Sequence, residues 1–483
     1  MAGIVAQLRG GTQKMSGLWT VLLGLALLAL VASCVWQAVV SARTPQGAIA
    51  WAIFLVAAPW IAVPAYLVLG QHKLRSKTTS YRQTVAATNQ RGMPAGPQEP
   101  HIVSSERLFV FSRLGGMPAQ AGNSADLLIN GDATFAAIFA AIDGAETYVL
   151  AQFYTIADDA LGNAFADRLI AAADRGVKVW LVCDRVGSHG LSTAYRHRLI
   201  KAGVQFRDPR AGSHRASRLH VNFRNHRKTV VVDGQWAAVG GHNVADAYVG
   251  RDPVMGYWRD THLALQGPVV SQLQTGFIRD WHWYTGDFIE DQLDWSPSPF
   301  APGIPAVTVF MGPTDDHDTG ALFFVAAITG AQRRVWVASP YFVPDVDTLS
   351  ALKCAALKGC DVRILLPARA DHFLPWLAAF AFFDEVRHAG VKIYRYKDGF
   401  MHQKAMLIDD DLSAVGTANF DNRSFRLNFE TMVVVHDRDF ADRMRDMLHT
   451  DMTHSDRLDR NLDSQHIGIR VGARLTRLLA PLL

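Results

Sequence analysis

Two histidines, His226 and His402, each head the same spaced set of polar residues. After His226 come Lys228 at +2, Asp233 at +7, Gly240 at +14 and Asn243 at +17; after His402 come Lys404, Asp409, Gly416 and Asn419 at the same offsets. At average residue frequencies, four such matches after a given histidine have odds on the order of 10⁻⁵, so the recurrence is not chance. Lys228-Thr-Val-Val-Val232 reads as a strand, Asp233-Gly234 as a hairpin turn and Trp236 to Val239 as the returning strand. The second copy runs from Lys404 to Ile408, turns at Asp409 to Asp411 and returns through Leu412 to Val415. A period of two puts each histidine and its lysine on one face, and the returning strand brings the asparagine back beside them. Two such clusters facing each other suit a phosphodiester. Lysines and amides would hold the non-bridging oxygens, and the histidines would flank phosphorus in line. Asp233 and Asp409 are counted with the catalytic set by spacing, although Asp at a turn also has backbone reasons to be there. Gly240 and Gly416 fit a close backbone approach.

The clusters need elements to carry them, and the chain supplies these twice. Phe135 to Ala145, an apolar helix pattern, leads into the buried-strand pattern Tyr148 to Tyr154; Phe324 to Ala331 leads in the same way into Val335 to Tyr341. A second strand follows in each half, Arg175 to Val182 and Lys358 to Leu366, and then Ala202-Gly-Val204 is matched by Ala389-Gly-Val391. Helices alternating with apolar strands predict an α/β fold with a mainly parallel sheet covered on both faces. The expected organisation is two tandem α/β units related by a pseudo-twofold, over residues 107–295 and 296–483, with the site between them. Residues 78–106 are polar and rich in proline, and read as a linker.

The first 77 residues are of another kind. Leu18 to Val40 and Ala48 to Leu69 are uncharged runs of 23 and 22 residues, each long enough to span a hydrocarbon core of about 30 Å. They predict a membrane-anchoring hairpin with helices at about 18–40 and 48–69, the second kinked at Pro59 and Pro64. Arg9 and Lys14 precede the pair, Lys73, Arg75, Lys77 and Arg82 follow it, and only Arg43 lies between. This asymmetry puts both ends and the catalytic part in the cytoplasm. Val31-Ala-Ser-Cys34 has the look of a lipoprotein cleavage box, but the long run and the second span that follows at once argue against a signal peptide. The scattered Cys34, Cys183, Cys354 and Cys360 indicate neither a zinc site nor a disulfide framework. With 48 basic and 44 acidic residues, the net charge of +4 fits an anionic partner without choosing between nucleic acid and lipid.

His-x-Lys-x4-Asp twice, each followed by Gly-x-x-Asn, resembles the signature of the phospholipase D superfamily. Several stretches resemble the bacterial cardiolipin synthases within it: Ala338 to Pro344, Gly399 to Lys404, Asn419 to Glu430, Gly240 to Asp246, Leu478 to Leu483, and the hairpin ending Tyr66 to Gly70. Gly241 and Thr417 depart from the usual Ser, and Met401 from the usual Leu. The resemblance implies that His226 attacks a phosphatidylglycerol to give a phosphatidyl-histidine. His402 protonates the departing glycerol and then activates a second phosphatidylglycerol, giving cardiolipin. Lysines take the place of a metal, so neither metal nor cofactor is expected. Glu430 and Asp260 are expected to orient His402 and His226, respectively. The implied partners are anionic phospholipid and a bacterial inner membrane, with no nucleic acid; a homo-oligomer stays open.

Two stretches allow two readings each. Seven basic residues between Arg207 and Lys228 form either a headgroup-docking loop or a plain solvated one. Phe373 to Phe383 is either a core helix or a face dipping into a monolayer. Hydrolysis, or transfer to another alcohol, is the alternative within the same chemistry. Nuclease activity is disfavoured by the anchor and by the lack of a basic nucleic-acid module. A non-enzymatic scaffold would be expected to have lost a His or Lys of the doubled set, and none is missing.

Overall fold

The computed structural model describes residues 2–41, 45–70, 74–90, 105–208 and 224–483. The chain divides at Ser80 and Tyr81 into two units. In the first, α1 (Ala2–Ser41) packs with α2 (Pro45–Ala57) and α3 (Pro59–Leu69) around Cys34, Ala38, Leu55, Ala62, Val63 and Tyr66. Its segment Trp19–Ser41 is the one helix among the described residues that is long and apolar enough to cross a membrane. The expected second span differs. Its helix breaks at Ala58, with φ −143° and ψ 62°, because the residue before Pro59 is driven out of the helical region. Pro64 sits inside α3 without ending it. The supposed linker also differs, since α4 (Leu74–Gln90) is helical and from Tyr81 onward buries Tyr81, Thr84 and Thr88. Its polar composition marks the solvent side of a helix; residues 91–104 lie outside the described residues.

The larger unit is built on one sheet. Its first run of strands is β1 (Gln120–Ile129), β2 (Tyr148–Phe153), β3 (Lys178–Cys183), β4 (Gln205–Arg207), β5 (Thr229–Val232), β6 (Trp236–Gly240) and β7 (Thr261–Gln266). The second is β8 (Ile304–Met311), β9 (Arg334–Ala338), β10 (Asp361–Pro367), β11 (Lys392–Tyr396), β12 (Ala405–Ile408), β13 (Leu412–Gly416) and β14 (Asn428–His436). Across the sheet the order is β4-β3-β2-β5-β6-β7-β1, then β8-β14-β13-β12-β9-β10-β11, with the short strand Ser455–Arg457 antiparallel beside β11 at the edge. The second run repeats the first in mirror order, joined by antiparallel pairing of β1 with β8. Among the fourteen strands so numbered, only the pairs within β2-β3-β4 and β9-β10-β11 are parallel, so the expected mainly parallel sheet is corrected. The Asp-Gly and Asp-Asp turns return the chain antiparallel, and β7 and β14 continue that sense.

Helices cover both faces. α5 (Glu106–Gly115) precedes β1, and α6 (Asn130–Asp143), α7 (Ala160–Asp174) and α8 (Thr193–Lys201) alternate with β1 to β4. α9 (Val269–Thr285) follows β7. α10 (Thr319–Thr329), α11 (Val346–Leu357) and α12 (Phe373–His388) alternate with β8 to β11. α13 (Asn422–Arg426), α14 (Arg438–Thr453) and α15 (Ile467–Thr476) complete the chain. Alternation along the strands sorts the core: Val149 and Ala151 face α6 and α7, whereas Tyr148 and Leu150 face a second core that includes Trp281 of α9 and Met444 of α14. Leu108 and Phe111 of α5 join the core of the second run, although sequence assigned α5 to the first. α12 is a core helix, with Leu377, Ala378, Phe380, Phe382 and Phe383 buried.

The two hairpin turns share a backbone design, to which Asp233 adds the Thr147 hydroxyl and Asp409 the Arg107 guanidinium. Asp233 and Asp409 take left-handed φ values of 53° and 56°. Asp233 accepts from the backbone N–H of Glu146, Thr147 and Tyr148 at 2.9, 2.8 and 2.8 Å. Asp409 accepts from Gln332, Arg333 and Arg334. Burial pushes both carboxyls up, but these donors hold each below its ordinary range. Asp233→Ala should therefore lower unfolding free energy by about 2–3 kcal/mol through loss of charge-assisted bonds. Denaturation of the detergent-solubilised protein measures it; unchanged stability with lost turnover would return Asp233 to the chemistry.

Candidate active site

His226 and Lys228 lie on the extended segment just before β5, and His402 and Lys404 just before β12, rather than on the strands themselves. Each histidine is delivered by a short strand that pairs with the other half. Arg224–Asn225 runs parallel to Asn428–Phe429, and Phe400–Met401 runs parallel to Trp258–Arg259. The ladder continues one step further. His226 N donates to Phe429 O at 2.9 Å, and His402 N donates to Arg259 O at 2.8 Å. The next residue on each partner strand is a carboxylate. Glu430 Oε1 and Oε2 lie 2.9 Å from His226 Nδ1, and Asp260 Oδ2 lies 2.7 Å from His402 Nδ1. The pairing expected from sequence, each carboxylate on the histidine of its own half, is thus corrected. The inter-half strand pairs put Glu430 beside His226 and Asp260 beside His402.

All four basic residues are buried: Lys228 and Lys404 are 0% and 1% exposed, His226 and His402 9% and 6%. Lys228 Nζ donates to His226 O at 2.6 Å, and Lys404 Nζ donates to His402 O. Tyr154 lies edge-on to His226 at 5.0 Å, while Tyr248, Trp258 and Phe400 wall His402 at 5.8, 5.1 and 6.0 Å. Burial pushes His226 down to about 4, against the pull of Glu430 and with the repulsion of Lys228 and Lys404. His402 is pushed well below its ordinary value by burial and by Lys404, Lys228 and His226. Burial lowers Lys228 to about 7, with Glu430 and Asp260 steadying it and Lys404 repelling it, and lowers Lys404 to about 8 against the pull of Asp260 and Glu430. These mutual influences place the four groups in one cluster. With Nδ1–H donated to a carboxylate, each neutral imidazole keeps its Nε2 lone pair for chemistry. An anion entering the site would favour protonation of its basic groups.

Asn243 and Asn419 sit differently. Asn243 accepts from Thr155 N at 3.0 Å and donates to Tyr248 Oη at 2.6 Å, reaching His402 through that ring. Asn419 Oδ1 is buried with no hydrogen-bond partner among the described residues. Asp233 and Asp409 do not join the cluster. Each is five residues of extended chain from its lysine, roughly 16 Å away at the far end of the hairpin. Gly240 and Gly416 are close approaches: a Cβ would meet His262 Cα at 2.5 Å in one and Thr431 O at 2.1 Å in the other. Of the basic stretch, residues 209–223 lie outside the described residues.

The chain matches the family described as "Cardiolipin synthase, PLD-like domain" over residues 138–281 and 324–452. It is 43% identical to Cardiolipin synthase A of a Pseudomonas putida strain over 467 residues, covering 95% of this chain and 96% of that protein. It is 41% identical to Cardiolipin synthase A of Pseudomonas aeruginosa over 96% of this chain and 95% of that one. The chain belongs to the cardiolipin synthase family. Among solved structures, phosphatidylserine synthase of Haemophilus influenzae aligns with 78% of this chain and 100% of its own, at TM-score 0.59 and 13% identity, a likeness of fold. The family relationship makes this a phosphatidyltransferase-type enzyme of the phospholipase D superfamily, and its N-terminal apolar helix fits membrane association.

Several features of the site had no sequence signal. Arg227, between the signature His and Lys, holds Asp280 of α9 at 2.7 Å, and Tyr81 of α4 reaches the same carboxylate at 3.3 Å. Tyr81 also packs against Phe429 at 5.0 Å, behind the strand that ends in Glu430. In the other half Arg259 and Gln403 both hold Asp451 of α14 at 2.7 Å. The two departures from Ser are also explained. Thr417 Oγ1 donates to Glu430 Oε2 at 2.6 Å, whereas a Cβ on Gly241 would fall 2.0 Å from Asp260 Oδ1. Burial pushes Glu430 up, but His226, Lys228 and Thr417 hold it below its ordinary value.

Glu430→Gln should lower turnover by about 10²–10⁴ with the protein still folded, as expected when a histidine loses its orienting carboxylate. Nitrogen-15 histidine spectra should show His226 moved and His402 undisturbed, and Asp260→Asn should do the reverse. A Glu430→Gln variant that moves His402 instead would contradict the crossed pairing.

Proposed function

We propose that the protein transfers a phosphatidyl group from one phosphatidylglycerol to another, giving cardiolipin and glycerol. The observation that carries this reading is the crossed pair of buried imidazole–carboxylate units, each with its own lysine, in a chain so similar to Cardiolipin synthase A. Lys228 and Lys404 bind the non-bridging oxygens, and the bound anion raises the basicity of the groups around it. With the anion bound, His402 takes up a proton from solvent at Nε2 and becomes an imidazolium; His226 Nε2 then forms a bond to phosphorus while the phosphorus–oxygen bond to glycerol breaks, and His402 Nε2–H gives the alkoxide that proton. His402 then takes the proton from the primary hydroxyl of a second phosphatidylglycerol. That oxygen displaces His226 from phosphorus, and both histidines return to their starting state. Asn243 and Asn419 line the substrate side. Asp260 and Glu430 are positioning residues.

In the same reading the two strand runs are tandem phospholipase D-like units, residues 107–295 and 296–483, related by a pseudo-twofold. The matched stretches 138–281 and 324–452 fall one in each and support the division. Residues 1–77 act as a two-pass hairpin in the bacterial inner membrane. The packing of α1 with α2 and α3, and the basic residues that flank the apolar runs, favour it.

Purified full-length protein given labelled phosphatidylglycerol in detergent should yield cardiolipin and glycerol, with turnover persisting in EDTA. Phosphatidic acid as the product would indicate hydrolysis. Given a substrate with a good leaving group, His402→Ala should accumulate acid-quenched label on the peptide carrying His226, and His226→Ala should not. Label on His402 would reverse the roles. For topology, a cytoplasm-dependent reporter fused after Leu483 should be active; activity only from an export-dependent reporter would overturn the orientation.

A further inference from the structure

The last helix of the chain turns an apolar face to solvent. α15 buries Ala473 and Thr476, and partly Ile469, against the core of the second run. The opposite side leaves Ile467, Val471, Leu475 and Leu478 at 59%, 48%, 60% and 77% exposure. Leu478 lies in the 3-10 turn, Arg477–Leu482, that continues the helix. Steps of four, four and three residues make this one stripe, and an ordered apolar stripe is not the scatter of single apolar residues usual on a surface. From Ile467 to Leu483 the segment carries Arg470, Arg474 and Arg477 and no acidic residue. The arginines contact Asp463 and Glu385 in surface pairs, which are weak enough to exchange for phosphate. An apolar stripe edged by arginines matches the interface of an anionic lipid monolayer in shape and charge.

The stripe runs toward the active site. α12 and α15 lie side by side in the same direction. A side chain on Gly472 would strike Leu377, and Arg477 donates to Ala381 O and pairs with Glu385. One turn earlier, this register brings the start of α12 level with Ile467. There Phe373 and Leu374 are 65% and 45% exposed. The two residues before them touch the site electrostatically: Asp371 steadies the Lys404 cation and accepts from Tyr341 Oη at 2.6 Å, and the charge of His372 bears on His402.

We propose that α15, its 3-10 extension and the first turn of α12 seat the catalytic unit on a monolayer of anionic phospholipid, with the rim of the site at headgroup level. The purpose of this surface rests on the lipid-transfer reading, but its test does not need turnover. In full-length protein carrying Cys354→Ser, which removes the exposed native thiol, a nitrobenzoxadiazole probe is placed at Leu475→Cys. A second preparation carries it at Leu357→Cys, 75% exposed at the end of α11. In proteoliposomes of phosphatidylglycerol and phosphatidylethanolamine containing doxyl-labelled lipid, the probe at 475 should be blue-shifted and quenched several-fold more than that at 357. Equal quenching at both positions overturns the proposal. So does a blue shift at 475 that follows protein density and not doxyl lipid, which would assign the face to a second copy of the chain. An inactive but quenched preparation would refute the cardiolipin reading and leave this surface standing. Val471→Ser, Leu475→Ser and Leu478→Ser together should lower turnover of bilayer phosphatidylglycerol about tenfold while sparing monomeric dihexanoyl phosphatidylglycerol. Equal loss on both substrates counts against it.

Discussion

Two imidazoles and two ammonium groups are buried within reach of each other's charge, and the rest of the larger unit is arranged around that repulsion. An uncompensated buried ion costs several kcal/mol even after relaxation. Glu430 and Asp260, both fully buried, supply two compensating charges. The balance is completed by depressed basicity: burial lowers both histidines and both lysines below their ordinary values. An anionic phosphodiester supplies the charge that is missing. The same surroundings therefore disfavour charge on the cluster alone and favour it beside a bound anion.

Compensation is exchanged between the halves. Neither strand run holds a complete histidine–carboxylate unit, because each carboxylate arrives on a strand paired with the approach to the opposite histidine. The joint between β1 and β8 thus belongs to the fold that brings each histidine to its carboxylate. Outside the site, Arg227 with Asp280 and Arg259 with Asp451 fix the same segments to α9 and α14, the helices of the shared core. Tyr81 adds a brace from α4 to the first half. A buried ion pair of this kind is weak evidence for stability, but breaking one partner leaves an unpaired charge next to a catalytic segment.

The halves are not equivalent. Glu430 receives the side chains of Thr417 and Asn428 in addition to His226, while among the described residues Asp260 receives only the backbone N–H of Thr261 in addition to His402, with Gly241 packed so close that no side chain fits there. Two otherwise matched imidazoles are therefore held by carboxylates of different hydrogen-bond saturation. The proposed division of labour between the two histidines needs such an asymmetry.

By itself the sequence determined the doubled signature, the hairpins that carry it, the α/β alternation and the long apolar helix at the start, because all of these are local periodicities or spacings. It also marked Glu430 and Asp260 as partners of the histidines. Which carboxylate meets which histidine depended on strand pairing between segments some 140 to 200 residues apart, which no local pattern encodes. The sense of the sheet was misread for a related reason: apolar strands look alike whether parallel or antiparallel, and only the tight turns carried the answer. Asp233 and Asp409 shared the spacing of the catalytic set because the hairpin has a fixed length, but their carboxylates serve the backbone at its far end. α4 looked like a linker because a helix docked by a few residues keeps a polar composition; Tyr81 becomes significant only when Asp280 and Phe429 are beside it. Tertiary structure decided the pairing, the burial and hence the basicity of the site, since these follow from which distant segments exclude water together.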